Sequence, residues 1–179
     1  MRKAIAITSF LCLGLAVFAV AHAQQDKSKR PSPPAQARLD LGAGKSVTVD
    51  YSSPRAKGRK IYGDVVPLGK VWRTGANEAT TFVTTADITV GGTAVTAGSY
   101  TIFTIPDKDK WTLIISKKTG EWGTDYPGPS SDLARVDMKV SSLSASAENF
   151  TISFDKSASG GMMNIDWETT RASVTIGTK

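Results

Sequence analysis

The stretch "VWRTGANEATT", Val71 to Thr81, sets Trp72, Arg73, Asn77 and Glu78 around Gly75 and Ala76, which are too small to pack a core. An indole, a cation, an amide and a carboxylate this close together admit different chemistries. In a structural reading, Trp72 packs beneath a loop, Arg73 and Glu78 form an ion pair, and Asn77 supports a turn. In a binding reading, Arg73, Asn77 and Glu78 converge on a ligand, and Trp72, Trp122 or Tyr126 offers a flat apolar face. Aromatic surface beside such polar groups suits sugars and small polar molecules. A catalytic reading pairs Glu78 with Glu121 or Asp125 in the manner of a glycosidase. The sequence carries no separation between those carboxylates, so all three readings stay open.

Composition narrows the chemistry. The chain contains one cysteine and one histidine, Cys12 and His22. Both lie in "MRKAIAITSFLCLGLAVFAVAHAQQ", which has the parts of a secretory signal: Arg2 and Lys3, an apolar run from Ala4 to Val20, and a small-x-small site at Ala21-His22-Ala23. Cleavage before Gln24 is expected, giving a signal peptide over 1–23, a periplasmic or secreted location and no stable membrane span. Cys12 lacks the preceding small residues of a lipobox. A mature chain without Cys or His has no disulfide, no Cys/His zinc site, no His- or Cys-held haem, no Ser-His-Asp triad and no thiol nucleophile. No metal site and no cofactor are expected. Loss of Arg2 and Lys3 takes two charges from the formal net charge of +6, leaving +4. That is too little for a nucleic-acid partner, which needs concentrated Lys and Arg.

The elements that must position the candidate residues follow from periodicity. Residues 24–37, "QQDKSKRPSPPAQA", are polar and Pro-rich and read as a tether. Residues 38–179 form a single domain in which strand alternation keeps recurring. "SVTVDY", "RVDMKV", "FTISFD" and "MNIDWE" each place apolar side chains on one face. "SYTIFTIP" and "WTLIIS" are continuously apolar and read as central strands, joined by a turn at "PDKDK". "ITVGGTAV" is a hairpin on Gly91-Gly92, "SASGGMM" is another, and "ASVTIG" closes the chain. Eight to ten strands are expected, in an all-β antiparallel β-sandwich whose topology, jelly-roll or Ig-like, the pattern does not resolve.

Ser52 to Glu78 breaks the alternation. This long basic Gly- and Pro-containing loop carries Arg55, Lys57, Arg59, Lys60, Lys70 and Arg73 against only Asp64 and Glu78. Clustered cations and glycines offer an anion site, with a solvated basic loop as the alternative. A short strand is expected around "DVVP". Two near-motifs fail. "GAGKS" at Gly42 to Ser46 lacks the first glycine of a phosphate-binding loop and precedes a strand, and "GDVVPLGKV" has the wrong glycine spacing and ends on Val71. "PDKDKW" lacks the glycine and glutamate of a calcium loop. In "GEWGTDYPGPSSD", Gly120 to Asp132, Trp122 and Tyr126 stand among glycines and prolines and are candidates for binding or for plugging a loop.

"SPRAKGRKIYG", "VVPLGKVWRTGANEAT", "AGSYTIFTIP" and "EWGTDY", in that order, resemble the bacterial secreted domain-of-unknown-function family numbered 2911. The likeness runs from about Val47 to the last strand. It matches the family's hallmark segments at Ser53, Pro54, Arg55, Gly58, Arg59, Trp72, Arg73, Gly75, Ala76, Asn77, Glu78, Trp122, Gly123 and Tyr126. It implies a periplasmic or exported β-rich domain, mostly in bacteria with outer membranes, and no particular activity.

The expectation is therefore an exported cell-envelope β-sandwich module with a binding or structural role. Its candidate ligand-binding residues are Arg55, Arg59, Trp72, Arg73, Asn77, Glu78, Trp122 and Tyr126. The expected partner is a small polar or anionic ligand or an envelope polysaccharide. The alternatives are a carboxylate-based hydrolase acting on envelope sugars and a basic surface docking on anionic envelope polymers.

Overall fold

The computed structural model describes residues 26–123 and 125–179, so the leader lies outside the described residues. The strands are β1 (Pro34–Gly42), β2 (Lys45–Ser52), β3 (Thr80–Thr84), β4 (Ile88–Val90), β5 (Thr93–Val95), β6 (Gly98–Ile105), β7 (Lys110–Ser116), β8 (Asp132–Ser157) and β9 (Gly160–Thr178). They form one nine-stranded antiparallel sheet in the order β1-β2-β3-β6-β7-β8-β9-β4-β5. The all-β antiparallel class is the one the alternation demands, with a difference: the core is walled by one continuous sheet. β1, at an edge, packs back against β8 and β9, so the sheet folds over on itself. Tyr51 fastens that closure, because its hydroxyl accepts from the Ile152 N–H at 3.1 Å.

The alternating series supply the core. Val47, Val49 and Phe82 on β2 and β3, Phe150 and Ile152 on β8, and Met163, Ile165 and Trp167 on β9 are all buried in one apolar cluster. β6 and β7 occupy the middle of the sheet, and their continuous apolarity has a cause: both faces are covered. Ile102, Leu113 and Ile115 face the main core, whereas Phe103 and Ile114 join a second cluster with Ala79, against which Val71 and Tyr126 pack.

"RVDMKV" and "FTISFD" belong to the same long strand, as do "MNIDWE" and "ASVTIG". The buried series of β9 changes parity, from Met163, Ile165 and Trp167 to Ala172, Val174 and Ile176. Strict alternation forbids such a change, so the ladder must slip. It does so at Glu168, which has φ 50, opposite irregular pairing between Ser142 and Thr151 of β8.

That irregularity receives the long loop. Ala56 N–H donates to the Glu148 carbonyl at 2.8 Å, Lys57 N–H to Glu148 Oε1 at 2.9 Å, and Ile61 N–H to Glu168 Oε2 at 3.1 Å. The loop holds no strand at "DVVP"; Val66 makes one isolated bridge with Tyr62, since Asp64 and Val65 turn back too tightly for a ladder.

The N-terminal segment also departs from the composition reading. Residues 34–37 form the first half of β1, with Ala37 buried, and Ser53 N–H donates to the Pro33 carbonyl at 2.9 Å. Proline suits this place because β1 is an edge strand, where a missing N–H breaks no ladder.

Candidate functional site

The corner at Trp72–Glu78 is built by its backbone. Trp72 bridges Thr104 of β6 through two backbone hydrogen bonds, at 2.8 and 2.9 Å. The chain then turns through positive φ at Thr74 (57°), Gly75 (152°) and Asn77 (57°). Gly75 is required, because a Cβ there would lie 2.9 Å from the Ser52 carbonyl oxygen. Trp72 points into the core, stacked on Trp167 at 6.1 Å and edge-on to Phe150 at 5.3 Å. It is an anchor of the loop and not an exposed face. Asn77 donates through Nδ2 to the Ser32 carbonyl at 3.1 Å and to Ser52 Oγ at 3.2 Å, which fixes the entering chain.

The ion pair expected between Arg73 and Glu78 is absent, for a geometric reason. Arg73 lies beneath Gly123, where a Cβ would stand 3.8 Å from its Nη1. Its Nε is buried without a hydrogen-bond partner, and burial pushes its pKa down. Glu78 turns instead toward the N-terminal segment. Arg30 Nη1 donates to both of its carboxylate oxygens at 3.0 Å, and Lys27 Nζ lies 3.0 Å from Oε1. Desolvation alone would raise the Glu78 pKa. Its own backbone N–H and hydrogen bonds from Arg30 and Lys27 outweigh that and bring it to about 2.

These groups line a cavity of about 320 Å³. It is lined by the Glu78 carboxylate with its partners Arg30 and Lys27, by Asp50 and Thr81 of the strands, and by Glu121 and Trp122. Glu78 and Trp122 are held together by an isolated bridge, and Ala79 N–H donates to the Glu121 carbonyl at 3.1 Å. Glu121 Oε2 accepts from Thr101 Oγ1 at 2.9 Å, while its Oε1 is buried without a partner. Trp122 is 56% exposed, the most exposed large apolar side chain among the described residues. The arrangement offers an aromatic face, hydroxyl and carboxylate acceptors and two cationic donors around one small volume.

The other candidates lie elsewhere. Arg55 Nη1 donates to the Ser53 carbonyl at 2.8 Å, and Arg59 donates through Nε to the Ala56 carbonyl at 3.0 Å, so both brace the loop. Tyr126 packs edge-on against Phe103 at 5.3 Å on the second apolar cluster, with its hydroxyl between Asp132 and Arg135. Of the eight candidates, only Glu78 and Trp122 line this cavity. Sequence reasoning did not find Arg30, Lys27, Asp50 or Thr81 as lining residues. The first two sit in what read as a tether. The other two are ordinary outward positions of alternating strands. Only Glu121 carried a signal, as a possible carboxylate partner of Glu78.

Among the described residues no group of His, Cys, Asp and Glu could hold a metal ion, and no helix is long and apolar enough to cross a membrane. No curated protein and no solved structure matches the chain. A family model matches residues 32–176, a span that opens at Ser32, the residue whose carbonyl Asn77 holds. The chain belongs to the family described as protein of unknown function (DUF2911).

Proposed function

We propose that this protein is an exported binding module of the cell envelope that takes a small polar, sugar-like ligand in the cavity beside Trp122. The observation that carries the reading is an indole left 56% exposed on the wall of a cavity that also presents Glu78, Glu121, Asp50 and Arg30. A soluble domain gains nothing in stability from such a side chain, whereas a pyranose gains an apolar platform with hydrogen-bonding groups around its rim. Export is supported by the leader sequence. The native protein recovered from the periplasm or medium is expected to begin at Gln24, and a chain retaining Met1 would overturn export.

Binding is tested by isothermal titration calorimetry with a panel of envelope mono- and oligosaccharides. Trp122→Ala is expected to abolish the heat of binding while leaving the urea midpoint unchanged. A saccharide response that survives Trp122→Ala, or a panel that elicits none, refutes the reading.

A hydrolase reading has one observation in its favour: Glu78 and Glu121 line the same cavity. Glu78, held ionised by Arg30 and Lys27, suits a nucleophile or charge stabiliser and not a proton donor. The acid would then be Glu121. Turnover of aryl glycosides that is lost in both Glu78→Gln and Glu121→Gln would establish this reading in place of simple binding.

A further inference from the structure

We propose a second site, for an amphipathic anion with a carboxylate or phosphate head and an apolar body, in the cavity between the long loop and the Trp72 corner. This cavity has a volume of about 360 Å³, within the range that holds small ligands. Its apolar wall includes Val65, Val66, Val71 and Trp72, and Arg59, Lys70 and Arg73 are its charged residues. Val65 is 42% exposed, an uncovered aliphatic side chain at the mouth. Through Arg59 and Ser32 the cavity adjoins a second hollow of about 380 Å³, which adds Arg55 and Lys57. No acidic residue lines either one.

Charge decides the occupant. The basic excess of the loop is gathered here, since Lys60, which lines neither hollow, pairs with Asp64 at 3.8 Å. Arg59 spends Nε and Nη2 on the carbonyls of Ala56 and Arg55, which leaves Nη1 without a partner among the described residues. Lys70 is exposed and meets no carboxylate among the described residues. A guanidinium held rigidly by the backbone, with a mobile ammonium nearby, recognises a carboxylate or phosphate. Val65 and the half-buried Val71 then take the attached apolar body. A free inorganic anion leaves that wall uncovered, and a neutral lipid leaves the cations without a counter-charge.

The experiment is isothermal titration calorimetry of the mature chain with octanoate, octyl phosphate, octanol, octylamine and inorganic phosphate. Octanoate or octyl phosphate is expected to bind, and the stronger of the two identifies the head group. Octanol and inorganic phosphate are expected to bind about ten-fold more weakly or not at all, and octylamine not at all. Lys70→Gln removes a side chain with no structural partner and is expected to weaken the anion about ten-fold at an unchanged melting temperature. Val65→Ser is expected to weaken the octyl anions but not inorganic phosphate. Trp122→Ala is expected to leave all of these affinities intact, which separates this site from the first. Equal binding of octanol and octanoate overturns the proposal. So does an affinity untouched by both Lys70→Gln and Val65→Ser, or the absence of binding by either octyl anion.

Discussion

Removing the Glu78 carboxylate tests how the N-terminal segment is joined to the domain. Arg30 and Lys27 each approach it at 3.0 Å. A carboxylate whose pKa falls from 4.5 to about 2 would nominally carry about 3 kcal/mol of stability. The Glu78 side chain is 36% exposed, however, and screening by water reduces this to about 1 kcal/mol. Because the folded-state pKa is depressed, the unfolded chain binds the proton more readily. The contribution is therefore complete above pH 4.5 and is lost as the pH falls toward 2. Glu78→Gln should lower the unfolding free energy by about 1 kcal/mol at pH 7, and should flatten the stability profile across that acid window. Urea midpoints at a series of pH values measure both effects. Double-mutant cycles identify the partner: Arg30→Met with Glu78→Gln should show a coupling of about 1 kcal/mol, and Arg73→Met with Glu78→Gln a coupling near zero. A coupling confined to Arg73, or an acid profile unchanged by Glu78→Gln, would refute the pairing of Glu78 with Arg30.

Three further outcomes follow from packing and backbone. Gly91→Ala should destabilise by about 3 kcal/mol in urea melts, because its Cβ would lie 2.2 Å from Val136 Cγ1, whereas Gly92→Ala in the same turn meets nothing within 4 Å and should lose about 1 kcal/mol. Trp167→Ala should lose about 3–5 kcal/mol, since the indole is 1% exposed among aromatic neighbours, while Trp122→Ala should stay within about 0.5 kcal/mol of the parent. Asn77→Ala should lose about 2 kcal/mol and Asn77→Gly about half that, because glycine accepts the φ of 57° but cannot replace the donors to Ser32 and Ser52. Equal losses in the two Asn77 variants would show that backbone strain is not part of the effect.

Most of the strands after β1 were legible in the chain because each buries one face, and period-two alternation records that locally. The first half of β1 read as a tether because Pro34 and the polar, Pro-rich residues before it mask that pattern. The two continuously apolar segments were legible as central for a related reason: a strand covered on both faces shows no polar parity. The turns at Gly91-Gly92 and Ser157–Gly160 were equally local. What the pattern did not contain was the closure of the sheet. The change of parity along β9 is visible in the residues, but it specifies only that a slip occurs. That Glu168 absorbs it, and that the long loop fastens to the irregular pairing opposite, depends on contacts between distant segments.

The chemistry divides in the same way. The types and clustering of Trp72, Arg73, Asn77 and Glu78 marked the right corner, because glycine and strong side chains gather where backbone and charge must be managed. Their partners could not be read, since an ion pair is settled by direction as well as by proximity in sequence. Residues 73 and 78 are near neighbours in the chain, yet positive φ at Thr74, Gly75 and Asn77 turns their side chains to different neighbours. Glu78 therefore meets Arg30, which lies 48 positions away. Trp72 is taken inside by its packing on Trp167 and Phe150, and Trp122 is left in the open because nothing among the described residues covers it. By itself the sequence determined that an all-β antiparallel domain presents a basic loop rich in such groups. Which of them anchor and which remain available was decided by tertiary structure alone, because burial is set by what the rest of the chain places opposite each side chain.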